Sequence, residues 1–308
     1  MPANPFHDPL FWPVAGRVLA LLLVGLVGVI AVERRPWSEL IRSTLFLRVR
    51  TWAVIAPLFV GTLFTGGFVV FSLAAFIALQ GSAEYVRLTG ISHRYALLIA
   101  LWTLVGLLIA AFARRYFLFL PLGFFMLLTL VPIVSGQVHG AHRQVSGSIF
   151  GYLYIGLPMA YFVFIKAEES WGLEFLLIVG LAVALSDVCA FVVGSALGGP
   201  KLAPQVSPGK TWSGALGNLI GAAAGVELLA EIVPEEWTSV GVLVLVLAIA
   251  AGAVWGDLTE SFVKRDFAHK DAGTLLPGFG GILDRVDSFL LALPVGYYAL
   301  VGANYLSA

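Results

Sequence analysis

The sequence predicts an all-α, polytopic integral membrane bundle of about nine or ten transmembrane helices. Three observations carry this. Of 308 residues, 59% are hydrophobic and 12% are charged, where an average soluble domain is about 25% charged, and mean hydropathy is +0.95. Apolar runs near the roughly 20 residues that a bilayer-spanning helix needs recur along the chain. The alternating ten-residue pattern of a membrane β-barrel is missing.

In chain order, candidate spans lie near 13–32, 50–66, 67–82, 95–113, 115–134, 147–165, 173–195, 213–232, 238–257 and 287–305. The second and third are short and meet at Gly66 and Gly67, so a count of nine is equally consistent. The first run lacks a strongly basic leader and a small-residue cleavage site, and reads as a retained helix rather than a signal peptide. Residues 1–135 form an N-terminal set of helices that says little about chemistry; residues 136–308 form a C-terminal half with polar segments at 196–214 and 256–288. Neither an inverted repeat nor a soluble domain is recognisable.

Arg34, Arg35, Arg42, Arg48 and Arg50 make 33–50 the densest basic cluster between spans, which the positive-inside rule places in the cytoplasm. Counting onward, 83–94, 135–146, 196–212 and 258–286 share that side. The opposite side receives Glu168, Glu169, Glu235 and Glu236, and both termini; Arg114 and Arg115 break the rule. Sparse lysine with abundant arginine, alanine, glycine and valine suits a bacterial inner membrane. Zero formal net charge argues against nucleic acid as a partner. A single cysteine, Cys189, leaves no intramolecular disulfide.

The few charges are concentrated. Asp257, Asp266, Asp271, Asp284 and Asp287 fall within 31 residues, and Lys201, Lys210, Lys264 and Lys270 lie in or beside the two late cytoplasmic segments. In GDLTESFVKR, Asp257, Glu260, Ser261 and Lys264 are spaced i, i+3, i+4 and i+7 and share a helix face. In GILDRVDS, Asp284, Asp287 and Ser288 repeat the spacing where a helix N-terminus favours negative charge. Both stretches also suit ordinary helix ends, yet ionisable faces at the membrane are functional candidates. Opposed carboxylates offer the hard oxygens that Mg²⁺ takes together with substrate phosphates. Asp257 and Asp284 are the first candidate ligands and Asp287 the third.

Between these helices, PGFGG supplies Gly278, Gly280 and Gly281, which allow backbone N–H groups to approach a phosphate. In GGPKLAPQVSPGKTWSG, the GKT is not a P-loop, because Pro204 stands where that motif needs glycine. Lys201, Ser207, Lys210 and Thr211 still offer charges and hydroxyls to a triphosphate or an anionic lipid head. His139 and His142, in HGAH, read as a loop rather than a metal pair. Gly217, Gly221 and Gly225 permit close helix packing, within the chain or across a homodimer. Trp37, Trp52, Trp212 and Trp237 sit near span ends, as an aromatic belt would.

Together these segments resemble the phosphatidate cytidylyltransferase family, the CDP-diacylglycerol synthases. That family's C-terminal signature runs from a serine ahead of lysine-arginine, through lysine-aspartate and a Pro-Gly-His-Gly-Gly turn, to Asp-Arg-x-Asp. Here it reads SFVKRDFAHKDAGTLLPGFGGILDRVD, Ser261 to Asp287; SPGKTWSG at 207–214 and LSDVCAFVVG at 185–194 match two upstream elements. Phe279 replaces the usual histidine, and Ser213 stands where glutamate or glutamine is common.

The resemblance implies conversion of CTP and phosphatidate to CDP-diacylglycerol and pyrophosphate, with Mg²⁺ and room for a second cation. It gives catalytic roles to Lys264, Asp271, Asp284 and Asp287. Substrate contacts fall to Ser207, Lys210, Thr211, Ser261, Arg265, Lys270, Gly280, Gly281 and Arg285, while Asp187 and Asp271 hold lysines or the second cation. Rival readings are the same chemistry on another lipid phosphate, a CTP-using polyprenol kinase, an inactive relative, and a cation transporter. The transporter requires charges near mid-span, whereas these cluster at span ends.

Overall fold

A computed structural model describes residues 4–33, 36–41, 43–269, 272–273 and 280–307. Its elements are α1 (Phe11–Glu33), α2 (Trp37–Leu40), α3 (Thr44–Thr65), α4 (Gly67–Thr89), α5 (His93–Phe112), α6 (Leu120–Ser135), α7 (Ala141–Gly151), α8 (Leu157–Lys166), α9 (Gly172–Leu197), β1 (Lys201–Ala203), β2 (Ser207–Thr211), α10 (Trp212–Glu227), α11 (Ser239–Asp266) and α12 (Leu283–Ser307). A π-helical turn, Tyr152–Gly156, joins α7 to α8 without a break. Among the described residues nine helices are long and apolar enough to cross a membrane, as predicted for a polytopic bundle. This is an integral membrane protein.

The candidate span at 213–232 differs from expectation. Its helix, α10, has 16 residues, about 24 Å against a hydrocarbon core of about 30 Å. The chain also makes a small antiparallel hairpin, with Lys201 opposite Thr211 and Ala203 opposite Ser207. The Thr211 hydroxyl then accepts the Gly214 N–H at 3.0 Å and starts α10, the role of a threonine N-cap.

The chain divides into two compact units, Met1–Val70 and Phe71–Ala308. In the first, α1 packs on α3, with Phe11 edge-on to Phe64 at 5.3 Å. In the second, α9 is central and touches α8, α10, α11 and α12; Phe175, Leu176, Ile178, Val179 and Ala182 along it are fully buried.

Two rows of small residues bring the helices of this unit close. On α10, a Cβ at Gly217 or Gly221 would overlap the α9 backbone at Cys189 or Leu185, and one at Gly225 would overlap Ala182. The small-residue face of α10 is therefore spent on α9, within the chain. On α11, Gly252 lies against the Ala292 backbone and Gly256 against that of Asp287. Backbone contact at Gly256 sets Asp257 beside the acidic start of α12.

Two departures from the charge and aromatic pattern have physical reasons. Arg114 is neutralised on its own side: its guanidinium meets Glu168 at 2.8 Å, donates to the Ala167 carbonyl at 3.3 Å and lies 4.4 Å from the Phe164 ring centre. Trp237 is not a belt residue, being 6% exposed and packed on Trp171 and Phe175. His139 and His142 are exposed.

Candidate active site

The polar residues singled out from the sequence converge where β1–β2, the C-terminal end of α11 and the N-terminal end of α12 meet. On α11 the predicted face forms: Ser261 donates to Asp257 at 3.3 Å, and Lys264 meets Glu260 at 2.5 Å. The contacts between elements are the new information. From β2, Lys210 reaches Asp257 at 2.5 Å. Lys264 also binds Asp284 of α12 at 2.8 Å, with side-chain exposures of only 13% and 8%.

Asp284 is held by backbone as well. One of its oxygens accepts N–H groups from Gly281 at 2.6 Å and Ala272 at 3.0 Å, the other the ammonium of Lys264. Gly280, at φ +83°, bends the chain into this position, a conformation that glycine adopts without strain. Asp287 is buried and accepts the Ser288 N–H at 2.8 Å. The Ser288 hydroxyl reaches over to Asp187 of α9 at 3.1 Å.

Arg265 turns toward the hairpin and donates to the Val206 carbonyl at 3.4 Å. Thr211 is buried at the start of α10, its hydroxyl 2.9 Å from that of Ser213, which in turn donates to the Gly198 carbonyl. Thr211 is thus engaged in the local structure. Ser207 is half-buried at the start of β2, and Arg285 is exposed beside Asp284. Lys270, Asp271, Gly278 and Phe279 lie outside the described residues.

Asp287 lies within electrostatic reach of Asp187, Asp257 and Glu260, and Asp187 also of Asp257. Among the described residues no three acids, histidines or cysteines come close enough to enclose a metal ion. The donor chemistry nonetheless fits magnesium: all-oxygen, acidic, and including one buried, unpartnered carboxylate oxygen, Oε1 of Glu260. Mg²⁺ needs only one or two carboxylates when substrate phosphates complete its shell.

Two participants escaped the sequence reading. Glu84 of α4, 1% exposed, accepts the N–H groups of Ile282 at 3.1 Å and Leu283 at 2.9 Å. The sequence reading ended the third span at 82, which put Glu84 in a loop; a glutamate one helical turn after Gln80 in an apolar helix was the available signal. Tyr154, in the π turn, donates its hydroxyl to the Gly256 carbonyl at 2.9 Å. It steadies α11 one residue before Asp257.

Beside the charged cluster runs an apolar groove of about 820 Å³. Leu202, Ala203 and Val206 of the hairpin form one rim, and Leu258, Thr259 and Phe262 of α11 belong to its wall. The same two elements thus carry lysine and carboxylate on one side and hydrocarbon on the other.

Residues 46–302 match the model of the Cytidylyltransferase family. The chain is 43% identical over 157 residues to the phosphatidate cytidylyltransferase of Brucella suis, covering 50% of this chain and 56% of that protein. It is 35% identical over 148 residues to that of Bacillus subtilis, covering 48% and 55%. The chain thus spans about half the length of these named relatives. An uncharacterized Escherichia coli protein, YnbB, is 28% identical over 288 residues, 90% of this chain and 94% of its own. With the family model covering most of the chain, this protein belongs to the cytidylyltransferase family.

Proposed function

We propose that this protein transfers the cytidylyl group of CTP to phosphatidate, releasing pyrophosphate and leaving CDP-diacylglycerol in a bacterial inner membrane, with the site facing the cytoplasm. One observation carries the reading. The hairpin and α11 present Lys210, Lys264 and their acidic partners on one side and an apolar groove on the other, which is what a reaction between a water-soluble triphosphate and a lipid phosphate requires. The match to enzymes named phosphatidate cytidylyltransferase supports the choice of lipid.

In the reaction, an oxygen of the lipid phosphate forms a bond to the α-phosphorus of CTP, and the bond from that phosphorus to the bridging oxygen breaks. Pyrophosphate leaves with the electron pair. The attacking oxygen is already ionised, so the protein need not supply a strong base. What it must do is align two polyanions and offset their repulsion. Lys210, Arg265 and Arg285 bind phosphates. Lys264, tied to Glu260 and Asp284, holds the N-terminal end of α12 against α11 and presents positive charge to the leaving group.

Asp257 and Asp287 would hold Mg²⁺; Asp284 would join them only by releasing Lys264. Bound there, the ion would neutralise phosphate charge that the two lysines leave uncompensated. The test is pyrophosphate release from purified protein given CTP, Mg²⁺ and phosphatidate, with ATP and diacylglycerol as controls. Release that needs both CTP and phosphatidate supports the reading. Release with ATP, or none from folded protein, refutes it.

A further inference from the structure

We infer that Glu84, on α4 and far in sequence from every motif of the site, is a positioning residue that sets the glycine turn and Asp284 for nucleotide binding. Among the described residues its carboxylate accepts from three donors: the Ile282 N–H at 3.1 Å, the Leu283 N–H at 2.9 Å and the side-chain amide of Gln80 at 3.1 Å. The first two are free N–H groups at the start of α12, where helical partners are lacking and negative charge is favoured. The third fixes the rotamer from one turn below on the same helix. A carboxylate is acceptor-only, so it satisfies all three; a glutamine would turn its own NH₂ toward one of them.

Both arms of the turn close on this group. A Cβ at Gly273 would lie 2.8 Å from the Glu84 carboxylate, and one at Gly281 would lie 2.6 Å from its carbon. Asp284 grips the same arms from the other side, through the N–H groups of Ala272 and Gly281. The chain at 272–273 and 280–283 is thereby clamped between two carboxylates, one from each half of the protein. Asp284 is bound in turn to Lys264. Among the described residues, Glu84 makes no hydrogen bond or ion pair with Lys210, Lys264, Asp257 or Asp284, so its influence on them passes through residues 272–273 and 280–283.

The kinetic part rests on the proposed reaction, and the structural part does not. Glu84→Gln, Glu84→Asp and Gly281→Ala are compared with wild type as full-length protein in detergent. Hydrogen exchange reads the amides of Ile282 and Leu283; kinetics read kcat and KM for CTP and phosphatidate separately. Glu84→Gln is expected to speed exchange of those amides and raise KM for CTP, lowering kcat/KM for CTP about ten- to a hundredfold, the scale of a displaced positioning group. KM for phosphatidate stays unchanged.

Gly281→Ala, which leaves Glu84 in place but crowds it, gives the same shift in KM; Glu84→Asp recovers part of the loss. A purely structural role would lower kcat through a smaller folded fraction and leave KM for CTP unchanged, which overturns the inference. Faster exchange without a change in that KM overturns it too. If wild-type protein releases no pyrophosphate, exchange alone decides: unchanged protection in Glu84→Gln removes the clamp, and faster exchange sustains it whichever substrate is used.

Discussion

Replacing Lys264 by methionine tests how the site is held together. The ammonium lies 2.5 Å from Glu260 and 2.8 Å from Asp284, and the three side chains are 13%, 2% and 8% exposed. Methionine keeps most of the volume and removes the charge. Two carboxylates that shared one cation are then left facing each other away from water. Removing one partner of a buried ion pair costs about 3–5 kcal/mol, and this change strands two acids, although Asp284 keeps its backbone donors. A loss of about 4 kcal/mol is therefore expected in equilibrium unfolding in detergent. Neutralising one acid, in Glu260→Gln with Lys264→Met, should restore part of it, and the double-mutant cycle measures the coupling. A Lys264→Met loss below about 1 kcal/mol, the upper end for an exposed pair, would refute the reasoning, as would a double variant no more stable than the single one.

Two further outcomes follow. Asp257→Asn removes the partner of Lys210 and the acceptor of Ser261, and is expected to abolish pyrophosphate release while the protein stays folded by thermal denaturation in detergent; activity near wild type would rule out Asp257 as a ligand of the proposed Mg²⁺. Gly221→Ala places a methyl about 2.7 Å from the Leu185 carbonyl carbon and the Ser186 Cα, backbone that has no rotamer with which to yield, so α9 and α10 must part at a cost of about 1–3 kcal/mol, read as a lower unfolding midpoint.

The sequence reveals those parts of the site that lie within one helix. Asp257, Glu260, Ser261 and Lys264 announce themselves by spacing, and their bonds along α11 follow from it. What joins elements is not periodic. That Lys210 meets Asp257 depends on how the hairpin lies against α11, and that Lys264 meets Asp284 depends on how closely α11 approaches α12, which Gly252 and Gly256 decide; glycine at that spacing reads equally well as filler in an apolar run. Glu84 was hidden for another reason. Hydropathy marks where apolar residues stop, near 82, whereas backbone hydrogen bonding carries α4 on to Thr89. The short strands were hidden as well, since three residues and five, the latter interrupted by Pro208 and Gly209, give no alternation to read.

The π turn at Tyr152–Gly156 has a consequence for chain length. A π turn accommodates one residue more than α-helix would over the same rise. Deleting a residue there would leave a continuous α-helix of nearly normal hydrogen bonding, so local energetics alone would forgive it. Five residues of a π turn sweep about the same angle as four of an α-helix, so the helix on either side would also keep its phase. Met159, Phe162 and Ile165, all buried, would stay on the face they share, while closure of the wide turn would draw Tyr154 away from the Gly256 carbonyl. A change of length is thus absorbed within the π turn, whereas one residue lost from α8 itself would shift the phase of everything after it by about 100°. An aligned relative carrying a gap of one residue in 152–156 would therefore keep the packing of α7 and α8 and present a different residue, or none, to Gly256.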